Sequence, residues 1–213
     1  MSDLIARLPQ VRGAYTANAP MRDLTWFRAG GPAEVLFRPA DIEDLQHFLK
    51  EKPADVPVTI VGVGSNLIVR DGGVPGVVIR LGGALGKIEV LDGHRVRAGA
   101  AALDMAVARA AGEAGIEGLE FLRGIPGSIG GGLRMNAGAY GGEFKDVLVE
   151  ATAVDRDGNL VTFTPETLGM RYRHTDTPDG VIFVSALFQG RPGNRDDILA
   201  RMEEITSKRE STQ

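Results

Sequence analysis

The chain has no cysteine, three histidines and a single tryptophan among its 213 residues. Without cysteine there is no disulfide framework and no thiolate to hold a metal. His47, on a predicted helix face, and His94, in a predicted hairpin, lack the spacing of metal ligands. Neither sign of charge dominates, with 24 Lys and Arg against 28 Asp and Glu. The formal net charge is −4, with Lys and Arg scattered, so no basic patch marks a nucleic-acid face. No apolar run approaches the roughly 20 residues of a membrane span. Met1 to Gln10 lacks the apolar core of a signal peptide. These absences point to the cytoplasm and away from nucleic acid and membrane. No Gly-x-Ser-x-Gly elbow is present either, since Ser65 follows Val63-Gly64 and Ser128 follows Pro126-Gly127, which removes the common hydrolase reading.

Glycine, by contrast, is abundant. Eight of the 29 glycines fall between Gly124 and Gly142. Glycine at that density costs backbone entropy, and the usual return is positive φ or close approach of N–H groups to a ligand. Leu119, Phe121, Leu122, Ile125, Ile129, Leu133 and Met135 make the stretch too apolar for a linker. It reads as a packed, irregular wall, with Met135 and Phe121 in the core.

Elsewhere the periodicities are conventional. Leu4, Ile5, Leu8 and Val11 predict a short N-terminal helix limited by Pro9. Glu34 to Arg38 alternates like a strand, Asp41 caps a helix to about Lys52, and Val58 to Val61 forms a second strand, together a small βαβ unit. Val77–Leu81, Gly86–Leu91 and His94–Ala98 follow as strands, the last two joined at Asp92-Gly93. Leu103 to Ala114 is an Ala-rich helix with Asp104 early and Gly115 as its stop. Ala151–Asp155 and Leu160–Thr164 flank Asp157-Gly158, Val181–Phe188 is a further strand, and Asp196 to about Arg209 is a helix with Ile198, Leu199, Met202 and Ile205 inward. The order implies an α+β chain in two lobes.

Gly62-Val63-Gly64-Ser65-Asn66-Leu67 follows a strand. A dinucleotide fingerprint would need a third glycine at Leu67 and a helix opening there. Leu67-Ile68-Val69 is instead apolar and β-branched. A P-loop fails too, because Gly127–Gly132 is followed by Leu133-Arg134. Two readings stay open: a tight turn between strands, or a nest of N–H groups that cradles a diphosphate. Arg171-Tyr172-Arg173-His174 is a short basic, aromatic cluster, with Arg171 and His174 read as solvated loop residues.

Four ordered segments carry a resemblance. Leu119–Gly131 with Met135–Glu143 is similar to the signature of the UDP-N-acetylenolpyruvoylglucosamine reductase family. Leu24-Thr-Trp-Phe-Arg-Ala-Gly-Gly-Pro-Ala33 resembles its N-terminal block, Val61–Asp71 its diphosphate loop, and Tyr172-Arg173-His174-Thr175 its catalytic element, with Thr for the usual Ser. The resemblance implies a two-lobed α+β FAD-binding fold of the PCMH/vanillyl-alcohol-oxidase type. A small βαβ lobe (21–72) is followed by a larger mixed sheet with helices (73–190), between an N-terminal lead-in (1–20) and a C-terminal helix (191–213). It also implies non-covalent FAD, NADPH as reductant, a UDP-sugar substrate and a monomer.

In that family Gly62, Gly64, Ser65, Asn66 and Leu67 would hold the diphosphate. Gly124, Ile125, Pro126, Gly127, Ser128, Gly130, Gly131, Asn136, Ala137 and Gly138 would enclose the rest of the cofactor. Arg173 would stabilise charge on the substrate carboxylate, with Tyr172 and Tyr140 beside the substrate; Asn136 and Tyr140 keep a purely structural alternative. In the resembled enzymes a third domain follows, with a proton-donating Ser and a Glu that no residue here matches. The implied functions are therefore a reductase represented by its FAD-binding part, a non-catalytic flavin module, or another flavin oxidoreductase.

Overall fold

The computed structural model describes residues 3–211; the expected segment limits at residues 1 and 213 lie outside these. The chain divides into two compact units. The first runs to Leu85 and includes Val154–Val161 and Asp179–Ile182. Its four-stranded sheet has the order β1-β2-β4-β3, with β1 Ala14–Pro20, β2 Pro32–Arg38, β3 Val58–Ile60 and β4 Val74–Ile79. β2, β4 and β3 are parallel, as the βαβ reading requires, and β1 is antiparallel to β2 with Tyr15 opposite Phe37. Because β4 pairs with both β2 and β3, this unit extends past residue 72, where the sequence placed its edge.

The N-terminal helix is corrected. Only Ile5–Arg7 makes a 3-10 turn, and the residues after Gly13 extend as β1. Helix α1, Ile42–Glu51, starts where expected, with the Asp41 side chain accepting from Asp44 N. Its apolar stripe, Leu45, Phe48 and Leu49, is buried against the sheet. Phe37 and Phe48 stack at 4.7 Å between centroids, and Tyr15 sits 5.1 Å from Phe37. Burying a side chain such as Phe48 contributes about 2–3 kcal/mol. The other sheet face holds Met21, Leu24, Ala33, Leu36, Val61, Val69 and Val78 in one cluster, with Leu67 against it.

The second unit comprises Gly86–Ala153, Thr162–Pro178 and the chain from Phe183. Strands β5 Ile88–Leu91, β6 Arg95–Gly99, β7 Leu148–Val154, β8 Leu160–Phe163 and β9 Ile182–Gln189 form a sheet of order β8-β7-β9-β6-β5. Gly93 at φ 74° and His94 at φ 59° make the turn into β6. Helix α2 is Asp104–Glu113, α3 is Ile129–Met135, and α4 is Arg195–Glu210, capped by the Asn194 side chain. α4 meets α2 through Ile198, Leu199 and Met202, which close over Gly112. Phe144 is the hub of this core, edge-on to Phe188 at 5.5 Å and to Phe121 at 6.3 Å.

The glycine-rich wall is not irregular throughout, because α3 lies inside it. Its glycines also have a different cause from the one expected. Of the eight between Gly124 and Gly142, only Gly141 has positive φ. A Cβ at Gly132 would enter the Phe144 ring, one at Gly124 the Tyr140 ring, and one at Gly142 would stand 2.8 Å from Phe121. These glycines make room for aromatic rings, which is a packing demand. Gly131 is different, with nothing nearer than Ser128 Oγ at 4.0 Å. Met135, expected in the core, is exposed. Among the described residues no helix is long and apolar enough to cross a membrane.

Candidate functional site

The Gly62–Leu67 loop is held at both ends and in its middle. Val61 and Val69 are buried in the first unit's core. Between them, Gly64 O accepts from Trp26 N at 3.1 Å. Gly64 has φ +68°, and a Cβ there would collide with Leu24 O. Glycine is therefore required twice over, by backbone conformation and by space. No helix follows, so the dinucleotide fingerprint is absent in structure as in sequence. Among the described residues, no protein acceptor takes the N–H groups of residues 62–67, and the Ser65 and Asn66 side chains make no hydrogen bond. A rigid loop of unspent donors fits a diphosphate. Leu67 turns inward to the core, so only its backbone is available to a ligand.

Beside this loop the first unit has a cavity of about 840 Å³ lined by Arg22, Asp23, Leu24, Thr25, Trp26, Arg28, Val63 and Arg80. Burial, then the Arg38 charge, pulls Arg80 below the usual arginine range. Trp26 is 58% exposed. Three guanidiniums, one carboxylate and an open indole suit an anionic, aromatic ligand such as a nucleotide. Nothing in the local sequence marks these arginines as a group. Arg22 and Arg28 lie in or beside the quoted Leu24–Ala33 segment, whereas Arg80 is 52 positions beyond Arg28 and gives no local signal.

In the second unit, the segment before α2 is laced to the glycine-rich run. Asp104 N donates to Gly127 O, Ile129 N to Ala102 O at 3.0 Å, and Gly130 N to Ala100 O at 2.9 Å. Gly124, Ile125, Pro126, Gly127 and Gly130 are half-buried, Ser128 is buried and Gly131 is exposed. The N–H groups of Gly127 and Ser128 have no acceptor among the described residues.

Asn136 has a structural part. It ends α3 in the left-handed conformation at φ 43° and is 1% exposed. Its Nδ2 donates to Glu143 Oε2 at 2.6 Å and to Arg171 O at 3.2 Å, while Oδ1 accepts from Lys145 N. Both amide hydrogens are thus committed within the protein.

Tyr172 and Arg173 form the tip of a two-residue turn. Arg171 and His174 exchange both backbone hydrogen bonds at 3.0 Å. Arg173 has φ +53°, a conformation usually filled by Gly or Asn. Its guanidinium lies 5.9 Å from the Tyr172 ring centre and has no ion pair among the described residues. Arg171 and His174, expected to be plain solvated residues, instead flank Asp176, at 2.9 and 3.0 Å. Arg171 first, then His174, holds Asp176 below the usual carboxylate range. Thr175 is buried and donates to Arg134 O, and Arg134 donates to Thr177 O. The structure thus joins the Arg173 turn to the end of α3. Tyr140, with φ +51°, lines a different hollow of about 410 Å³ with Phe121, Arg201 and Ile205.

The most unusual group in this unit is Asp104. It is fully buried, and neither carboxyl oxygen has a hydrogen-bond partner among the described residues. Burial pushes its pKa up to about 8.

Loop, glycine wall and fold define a class: residues 33–164 match the FAD binding domain family, and the chain is an FAD-dependent oxidoreductase with an α+β fold of the PCMH/vanillyl-alcohol-oxidase type. A 6-hydroxy-D-nicotine oxidase from Arthrobacter nicotinovorans shares that fold, with TM-score 0.61 over 86% of this chain and 43% of that one, at 16% identity. A curated UDP-N-acetylenolpyruvoylglucosamine reductase from Parvibaculum lavamentivorans is 67% identical over 99% of this chain and 67% of its own length. The crystal structure of the Thermus caldophilus reductase of that name aligns with TM-score 0.82 and 32% identity, covering 96% of this chain and 71% of that one. The chain belongs to the UDP-N-acetylenolpyruvoylglucosamine reductase family.

Proposed function

We propose that this protein reduces UDP-N-acetylglucosamine enolpyruvate to UDP-N-acetylmuramate with NADPH, a step in peptidoglycan precursor synthesis. The observation that carries the reading is the joint one of unspent donors at Gly62–Leu67 and an unpaired guanidinium at Arg173. The N–H groups of Gly62, Gly64, Ser65, Asn66 and Leu67 receive the diphosphate of non-covalently bound FAD. In the second unit, the Gly124–Gly131 segment, with Ala137 and Gly138, is the candidate cofactor-binding stretch. When bound, FAD supplies the hydride acceptor and donor that links NADPH to the enolpyruvyl double bond.

Arg173 acts on the substrate. Adding hydride to one enolpyruvyl carbon drives negative charge toward the carboxylate on the other, and the reduction is completed when that second carbon takes a proton from an acid or water. A guanidinium fixed beside that carboxylate stabilises the charge where it develops. The Tyr172 ring supports Arg173 from the side, and Tyr140 contacts the sugar nucleotide. The reaction draws on two soluble nucleotide-linked molecules, consistent with a cytoplasmic monomer that needs no membrane or nucleic acid.

A second reading, an FAD-binding module without turnover, follows from Arg173 being the one residue to which chemistry is assigned. Anaerobic NADPH addition to FAD-loaded protein, followed by substrate, separates the two. A reductase bleaches and then recovers its flavin colour with product formed. Bleaching without product supports the second reading, and no bleaching removes the NADPH assignment.

A further inference from the structure

Two buried aspartates behave oppositely. Asp44, 2% exposed, accepts from Arg12 N, Gly13 N and Ala40 N at 2.8–3.0 Å. Asp104, with no exposed surface, has no partner at all among the described residues. Its position is fixed by the lacing of Ala100–Asp104 to Gly127–Gly130, with Leu103 and Ser128 bridged. The carboxyl sits directly behind Gly127, where a Cβ would stand 2.7 Å from Oδ2. Gly127 and Ser128 also carry the two unspent N–H groups described above.

We propose that Asp104 is a positioning residue that works as a neutral acid packed behind Gly127, leaving the Gly127–Ser128 donors free for the cofactor, and that losing its proton releases the cofactor. The proposal rests on the assignment of Gly124–Gly131 to FAD. A neutral carboxyl is a weak acceptor and leaves those N–H groups to the ligand. An ionised one is a strong acceptor packed against Gly127. It competes for them and sets a negative charge beside an anionic dinucleotide.

Among the described residues no charged group faces Asp104 to offset such a charge. On α2 itself Arg109 pairs with Glu113. On the 3-10 turn 120–124, Glu120 pairs with Arg201 and Arg123 donates to Thr206. Glu117 pairs with Arg191 and Arg201, Lys87 with Glu89, and Arg97 with Glu150. α4 meets α2 through apolar side chains. Burial is the sole cause of the raised proton affinity.

The test is FAD affinity of the full chain from pH 6 to 9, by flavin fluorescence, in wild type and Asp104→Asn. Wild type should bind with constant affinity below about pH 7.5. Above the shift it should weaken toward tenfold per pH unit, the limit for one coupled proton. Asn stays neutral and should flatten the profile. Parallel profiles overturn the proposal. Should the Asn variant not fold, carboxyl-¹³C aspartate NMR of wild type decides. One carboxyl should titrate near 8 and move to higher pH with FAD, as linkage demands. A carboxyl unmoved by FAD, or none titrating above pH 6, overturns the proposal but leaves the FAD assignment standing. Absence of FAD binding at every pH overturns both.

Discussion

Asn136 and Arg171 are joined by a hydrogen bond of 3.2 Å from the buried amide to the backbone carbonyl that opens the Tyr172-Arg173 turn. One residue thereby ends a helix, spends both its amide hydrogens, and fixes the base of the proposed catalytic turn. Asn136→Gly keeps the left-handed backbone and removes only the clamp. It should cost about 1–3 kcal/mol, since three partly buried hydrogen bonds are lost. Urea unfolding reads the cost, and amide exchange at Arg171 and His174 should speed up. Unchanged exchange there would detach Asn136 from the turn.

Gly131 and Gly132 are adjacent in α3 and should respond oppositely to alanine. At Gly132 the new methyl meets the Phe144 ring, so about 1–3 kcal/mol of stability should be lost to overpacking. At Gly131 there is room, and alanine should stabilise the FAD-free protein by about 0.5–1 kcal/mol. If Gly131 borders FAD, the same alanine weakens FAD binding. Thermal melts with and without FAD separate these effects. Stabilisation with unaltered affinity would remove Gly131 from the cofactor.

Asp104 also sets a pH dependence of stability. Its folded pKa of about 8 lies above the unfolded value near 3.9, so between these the unfolded chain binds fewer protons. Its stabilising proton is fully in place below about pH 4. The benefit is lost as pH rises toward 8, by up to about 1.4 kcal/mol per unit. Asp41, Asp155 and Asp176 shift downward and act in the opposite sense at acid pH, but they are exposed or partly so and contribute little. Asp104→Asn should flatten stability between pH 5 and 8 in urea titrations of FAD-free protein. The same slope in both proteins would contradict a buried ionising Asp104.

Arg173→Ala should leave the flavin spectrum and NADPH-driven flavin reduction near normal. Substrate reduction should slow by roughly a hundredfold or more, the scale for losing one charge-stabilising donor. Lys should rescue only in part, since it keeps charge without the planar two-pronged contact. Stopped-flow traces of the two half-reactions measure this, and an unaltered second half-reaction would leave Arg173 without a role.

Features encoded locally were legible in the sequence. The Asp41 cap, the Gly115 stop and the glycines at 93 and 158 stand where the sequence placed them. β1 was not, because Ala14, Ala17 and Ala19 carry little signal, and ahead of it the helix-like spacing of Leu4, Ile5, Leu8 and Val11 yields only the Ile5–Arg7 turn. The strand state of β1 comes from pairing with β2, far along the chain. The glycine run was legible as special but not for its reason, since nothing local shows that Phe144 and Tyr140 fold over it. Asp104 reads as an ordinary early helix residue until its burial is seen. Arg80 joins Arg22 and Arg28 only through the sheet.

The central claim is that the Gly62–Leu67 loop holds FAD, and titration of the purified chain with FAD, beside Gly64→Val, tests it most directly. Wild type should saturate at one FAD per chain with a shifted, quenched flavin spectrum, and acid or heat should release unmodified FAD. Gly64→Val meets Leu24 O and strains a positive-φ backbone, so the loop should shift and lose FAD binding, with far-UV circular dichroism checking that the variant is folded. Equal binding by both proteins, or no spectral change with wild type, would contradict the account.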